Sequence, residues 1–346
     1  MTEEKRTEIA AIGEFGLIDR LQQQITLQQE STVYGIGDDA AVIQTGELCT
    51  VVTTDLLTEG VHFDLRYVPL RHLGYKAVAV NVSDVAAMNA IPRQITVSMA
   101  LSNRFSVEAV EELYAGIRLA CEQYKVDLVG GDTTASGAGL TLSVTALGTA
   151  APHELVYRNG ARVGDVICVS GDLGAAYMGL QVLEREKEVF IANPNMQPQL
   201  ESYEYIVGRQ LKPEARMDLI HELRELGIRP TAMIDISDGL ASELFHISHR
   251  SGVGIAINED KIPVAEETGR AADEFRIDAT TCALNGGEDY ELLFTLDPAD
   301  YERISKETDI TAIGLVRKAE EGLYLITRGS NRRPLQAQGW QHFKKK

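Results

Sequence analysis

Five short motifs set carboxylates beside small, turn-forming residues: G-D-D at 37–39, T-T-D at 53–55, V-S-D at 82–84, G-G-D-T-T at 130–134 and D-I-S-D-G at 235–239. Glycine lets the backbone approach a ligand closely and adopt unusual dihedrals. Several carboxylates gathered in one cleft repel one another unless a hard cation neutralises them, and Mg2+ takes such oxygen donors. Metal-dependent phosphate chemistry is therefore the expectation. A single Asp more often serves only to keep a surface soluble, so the argument rests on the clusters.

The rest of the composition narrows the field. A formal charge of −18 over 346 residues argues against a broad nucleic-acid-binding face, which needs local positive charge. Small phosphates remain compatible through metal bridges. The opening M-T-E-E-K-R carries no long apolar segment and no later run reads as a membrane span, so a cytoplasmic protein is expected. Cys49, Cys121, Cys168 and Cys282 are widely spaced, with no metal-ligand pattern, and read as reduced structural residues. There is no G-x-x-x-x-G-K-[ST] and no convincing Rossmann G-x-G-x-x-G unit, so a bound nucleotide would rely on Mg2+ held by carboxylates, supplemented by Arg and Lys.

The elements that must position these acids can be sketched from periodicity. Residues 50–54 read as a strand with Asp55 just beyond its end, and 35–43 as a glycine turn entering another strand. Residues 73–88 read as a helix that sets Asn81 and Asp84 on one face. A polar helix surface explains that pair as well as a metal site does; a cleft-facing Asp84 would decide for metal. A strand at 95–101, a helix at 107–124, a short strand running up to G-G-D-T-T and a strand at 140–147 complete a mixed α/β domain. The chain is longer than one core usually supports, and the composition shift near 148–153 divides it into domains at 1–149 and 150–346. In the second domain, residues 194–210 read as a surface segment. Ser237 or Asp238 is placed to cap a helix running toward Arg250.

The motifs, taken in order with G-E-F-G-L-I at 13–18, E-G-V-H-F at 59–63 and G-G-E-D-Y-E-L at 286–292, resemble the thiamine-monophosphate kinase family over nearly the whole chain. That family lies in the superfamily of aminoimidazole ribonucleotide synthetase, selenophosphate synthetase and hydrogenase maturation proteins. The resemblance implies a two-domain α/β fold whose N-terminal sheet contributes to a homodimer interface. It also implies ATP-dependent conversion of thiamine monophosphate to thiamine diphosphate, with several Mg2+ ions and no covalent phosphoenzyme. Matching positions imply metal ligation by Asp39, Thr53, Thr54, Asp55, Asp84, Asp132, Asp235 and Asp238, with Asp38 less firmly matched and the threonine oxygens left open. They imply nucleotide contacts from Tyr114, Gly131, Asp132, Arg158 and Ser237, and acceptor contacts from His62, Glu288 and Trp340. The alternatives are a related purine-pathway synthetase and a noncatalytic nucleotide or thiamine-phosphate sensor. Selenophosphate synthesis is disfavoured because the amino-terminal segment lacks the reactive cysteine.

Overall fold

The computed structural model describes residues 8–304 and 309–336. Its first sheet contains β1 (Thr32–Tyr34), β2 (Ala41–Thr45), β3 (Leu48–Thr58), β4 (Ile91–Leu101), β5 (Asp127–Ala135) and β6 (Leu140–Ala150), in the order β1-β2-β3-β6-β4-β5. All pairings are antiparallel except β4 with β5. The acidic T-T-D lies inside β3 rather than at its end. The strand runs on to Thr58 because β6 pairs with it as far as Thr58 opposite Thr141. G-G-D-T-T likewise forms no turn: it is extended within the edge strand β5.

Three helices accompany this sheet: α1 (Gly13–Gln22), α2 (Leu70–Ala87) and α3 (Val107–Tyr124). Ser106 caps α3 by accepting the Ala109 N–H at 3.3 Å. Helix α2 is apolar nearly all round, the mark of a helix buried on every side. It lies on the sheet where Gly148 leaves room, since a Cβ there would stand 2.4 Å from Val85 Cγ1. Against α3 the two backbones touch. A Cβ on Gly74 would meet the Leu113 carbonyl oxygen at 2.0 Å, and one on Gly116 would meet that of Arg71 at 1.8 Å.

The second sheet contains β7 (Val166–Ser170), β8 (Ala232–Asp235), β9 (Gly254–Asn258), β10 (Leu292–Leu296), β11 (Ile310–Arg317), β12 (Leu323–Ile326) and β13 (Arg332–Pro334). Its order is β13-β12-β9-β11-β7-β10-β8. Helices α4 (Ala175–Ala192), α5 (Glu204–Leu211), α6 (Met217–Glu225), α7 (Leu240–Ser251), α8 (Glu266–Phe275) and α9 (Ala279–Asn285) belong to this half. Strands β8 and β10 are buried on both faces. Met233, Phe294 and Leu296 join the core of α2 and the first sheet, together with Leu219 and Leu223 of α6. Ile234 and Leu293, alternating with them, pack with Leu240, Leu244 and Ile247 of α7. The second sheet thus gives one face to the core of the first and packs a separate core of its own on the other. Residues 194–210 are not merely surface, because α5 buries Ile206, Val207 and Gln210. Among the described residues no helix is long and apolar enough to cross a membrane.

Candidate active site

Where α2, β3 and the end of β8 meet, a cleft of about 1190 Å³ opens between the two halves. Asp39 reaches it from the turn before β2, Asp84 from α2 and Asp235 as the last residue of β8. One carboxylate oxygen from each lies within 4.8 Å of the other two. Each carboxylate is held by one neighbouring side chain. The Arg158 guanidinium donates to Asp39 from Nη2 at 2.6 Å and from Nε at 3.2 Å. The Thr53 hydroxyl donates to Asp84 at 2.6 Å. The Ser83 hydroxyl donates to Asp235 at 2.6 Å, across the two halves.

Burial and mutual repulsion shape the protonation of this group. Asp235 is pushed up to about 8, by burial first and by the Asp39 charge second. Asp84 is raised well above the usual carboxylate range by burial and then by Asp55, Asp235 and Asp39. Burial lifts Asp55 to about 6, and burial followed by Asp39 lifts Asp38 to about 7. Asp38 accepts the backbone N–H of Arg158 at 3.1 Å and that of Asp39 at 3.1 Å, so it pins the chain segments that carry its neighbours. A set of hard oxygen donors with unbalanced negative charge and a largely buried setting fits Mg2+.

The other sequence-derived candidates fall into three groups. Thr53, Thr54, Asp55, His62, Arg158, Ser237, Asp238 and Glu288 all line the same cleft. The Thr54 hydroxyl donates to the Val144 carbonyl at 3.1 Å, which turns it toward β6. His62 Nδ1 accepts the Thr58 N–H at 3.0 Å. The expected cap from Ser237 or Asp238 is absent: the N-cap of α7 is Gly239, with no side-chain cap bond. Asp238 instead gives its N–H to the buried Glu243 at 2.9 Å. Tyr114, Gly131 and Asp132 form the second group and do not line this cleft. Tyr114 packs against the core from α3, while Asp132 is exposed on β5. Gly131 has a structural reason to be glycine, since a Cβ would stand 1.8 Å from the Val97 carbonyl oxygen. Trp340 lies outside the described residues.

His246 lines the cleft and carries no signal in the sequence. Phe15 of α1 meets His246 of α7 edge to face at 4.5 Å between ring centroids. Burial and then Arg158 and Arg250 push His246 down to about 4, so it is a neutral imidazole. Glu288, at φ 58, accepts from Lys76 Nζ and Gln210 Nε2, both at 2.7 Å. The adjoining acids of G-G-E-D-Y-E-L are structural. Asp289 accepts the Gly174 N–H at 2.8 Å, at the start of α4, and Glu291 accepts from Arg209 at 2.8 Å and Arg216 at 2.6 Å.

Comparison with known proteins follows the same outline. The family description AIR synthase related protein, N-terminal domain, matches residues 37–150, and its C-terminal domain matches 162–326. The thiamine-monophosphate kinase of Aquifex aeolicus is 38% identical over 96% of this chain and 98% of its own length. This chain belongs to the thiamine-monophosphate kinase family. The Bacillus subtilis thiamine-monophosphate kinase is 32% identical over 96% of this chain and all 100% of its own. Among solved structures, AaThiL complexed with AMPPCP and TMP superposes with a TM-score of 0.83 at 34% identity, covering 98% of this chain and 100% of that one. A hydrogenase maturation protein HypE in complex with ATP, at 21% identity and a TM-score of 0.68, shares the fold.

Proposed function

We propose that this protein transfers the terminal phosphoryl group of ATP to thiamine monophosphate, giving ADP and thiamine diphosphate. The observation that carries the reading is the convergence of Asp39, Asp84 and Asp235 from both halves of a chain that matches thiamine-monophosphate kinases along nearly its whole length. The attacking atom is a phosphate oxygen, already anionic near neutral pH because a phosphate monoester's second pKa is about 6. No side chain need take a proton from it. The task left to the protein is to hold two anionic molecules in line.

Asp39, Asp84 and Asp235, with Asp55 and Asp238 beside them, would hold Mg2+. When bound it supplies charge neutralisation for the phosphates. Thr53 and Ser83 fix two of these carboxylates, and Arg158 stands at the cleft wall with a guanidinium able to meet a phosphate. His62 and Glu288 serve the acceptor. The working division of the chain is at 149/150.

A homodimer completes the site in this reading. Strand β5 is one edge of its sheet, and all 9 of its residues are exposed. An uncovered edge of this kind invites a second chain. Tyr114, Gly131 and Asp132 stand away from their own cleft, so their nucleotide role is served across that edge, at the partner's site. Purified protein with ATP, Mg2+ and thiamine monophosphate should yield thiamine diphosphate by mass spectrometry. ADP with no diphosphorylated thiamine would overturn the proposal.

A further inference from the structure

A buried lysine on the face of α2 that meets the second half of the chain is the starting point. Lys76 is only 4% exposed. Its ammonium donates to the Gln210 carbonyl at 3.1 Å and to Glu288 Oε2 at 2.7 Å. The Gln210 side-chain amide donates to the same oxygen at 2.7 Å. A buried charge must be paired and hydrogen-bonded, and that alone would give this ion pair an architectural role. Three features argue for more.

Glu288 has a left-handed backbone, φ 58, which costs a non-glycine residue free energy and is kept where the surroundings impose it. The conformation is fixed by the Glu288 N–H, which donates to the Ser237 carbonyl at 2.7 Å. Its side chain is still 28% exposed and lines the cleft, while the lysine behind it is sealed. Both donors address Oε2, which leaves Oε1 outside this pair of bonds. Finally, Lys76 and Ser83 are seven residues apart, two turns of one helix face, separated by a rise of about 10 Å. Ser83 grips Asp235 of the ion-binding group, and Lys76 grips Glu288. One rigid helix thus sets the spacing between the phosphate-handling carboxylates and the acceptor-facing one.

We propose that Lys76 and Gln210 are positioning residues that hold Glu288 oriented as a hydrogen-bond acceptor for an N–H-bearing heterocycle of the phosphate acceptor. Because Lys76 neutralises the carboxylate, Glu288 recognises by direction more than by net charge. The inference rests on the assignment of Glu288 to the acceptor site above.

The test is a double-mutant cycle read by calorimetric binding of thiamine monophosphate to the full-length protein, with a nonhydrolysable ATP analogue titrated separately. Lys76→Met and Glu288→Gln should each weaken thiamine monophosphate binding roughly tenfold, with binding of the ATP analogue held within about twofold. Lys76→Met added to Glu288→Gln should cost nothing further. An equal loss from Lys76→Met in both backgrounds, or none in either, overturns the positioning role. Unchanged binding by Glu288→Gln alone overturns the acceptor-site assignment itself, a distinguishable result. If Lys76→Met fails to fold, Gln210→Met takes its place in the same cycle, with the same outcomes deciding.

Discussion

Near pH 8 the carboxylates of Asp39, Asp84 and Asp235 are crowded into one small volume, and ionising all of them without a cation works against the fold. Asp235 titrates near 8 in the folded chain and Asp38 near 7, against a normal carboxylate value close to 4. The native state therefore holds more protons than the unfolded state across that interval, and the stability of the chelated protein falls as pH rises from about 4 to about 8. Mg2+ should restore stability most at the alkaline end. Asp84→Asn removes one ionisable carboxyl from the group. Its chelated form should melt a few degrees above chelated wild type at pH 8, gain less from Mg2+, and lose on the order of a hundredfold in single-turnover rate. Calorimetric scans with EDTA or Mg2+, beside rapid-quench kinetics, check all three; a native-like variant with an unchanged chemical rate would remove Asp84 from the site. The acids themselves were legible in the sequence because glycine and serine flank them. Their orienting partners were not, since Ser83 and Lys76 look like ordinary contents of a helix and acquire meaning only from residues far along the chain.

At the scale of elements, α2 carries the site and α3 fixes α2. Gly116→Ala would place a methyl group 1.8 Å from the Arg71 carbonyl oxygen, forcing the helices apart. Urea unfolding should show a loss of about 1–3 kcal/mol or more. Gly137→Ala, where nothing lies within 4 Å, should stay within about 0.5 kcal/mol of wild type. Equal stability of the two variants would show that the close crossing of α2 and α3 is dispensable. Helix α3 could be read from sequence to its terminal residues because its apolar spacing is regular and a serine caps it. Strand β3 could not, because its length is set by pairing with β6 rather than by its own residues. Helix α5 was hidden by a polar sequence whose few apolar residues are covered by α4. G-G-D-T-T read as the acidic end of a strand, whereas Gly131 serves close strand packing within the sheet.

For the molecule as a whole, the exposed β5 edge predicts that Asp84→Asn and Asp132→Asn damage different chains of the same site. Each variant alone should be nearly inactive. Co-expressed, half of the dimers would be mixed and each mixed dimer would hold one intact site, restoring about a quarter of wild-type activity. Light scattering should report a dimer throughout. Mixed samples no more active than their parents would return Asp132 to its own chain or remove it from the site.

The bond from Ser83 to Asp235 joins residues 152 positions apart, one in each half of the molecule. Such a contact is expected to close late in folding, after each half has collapsed and the two have met. Until then there is no complete nest of oxygens for a cation to occupy. Mg2+ should accordingly act on the escape from the native state and not on its acquisition. In stopped-flow experiments the refolding limb should superimpose with and without Mg2+, while the unfolding limb slows when the ion is present. Faster refolding in Mg2+ would mean that the carboxylates gather before the rate-limiting barrier, and that the ion recruits the second half of the chain instead of locking it.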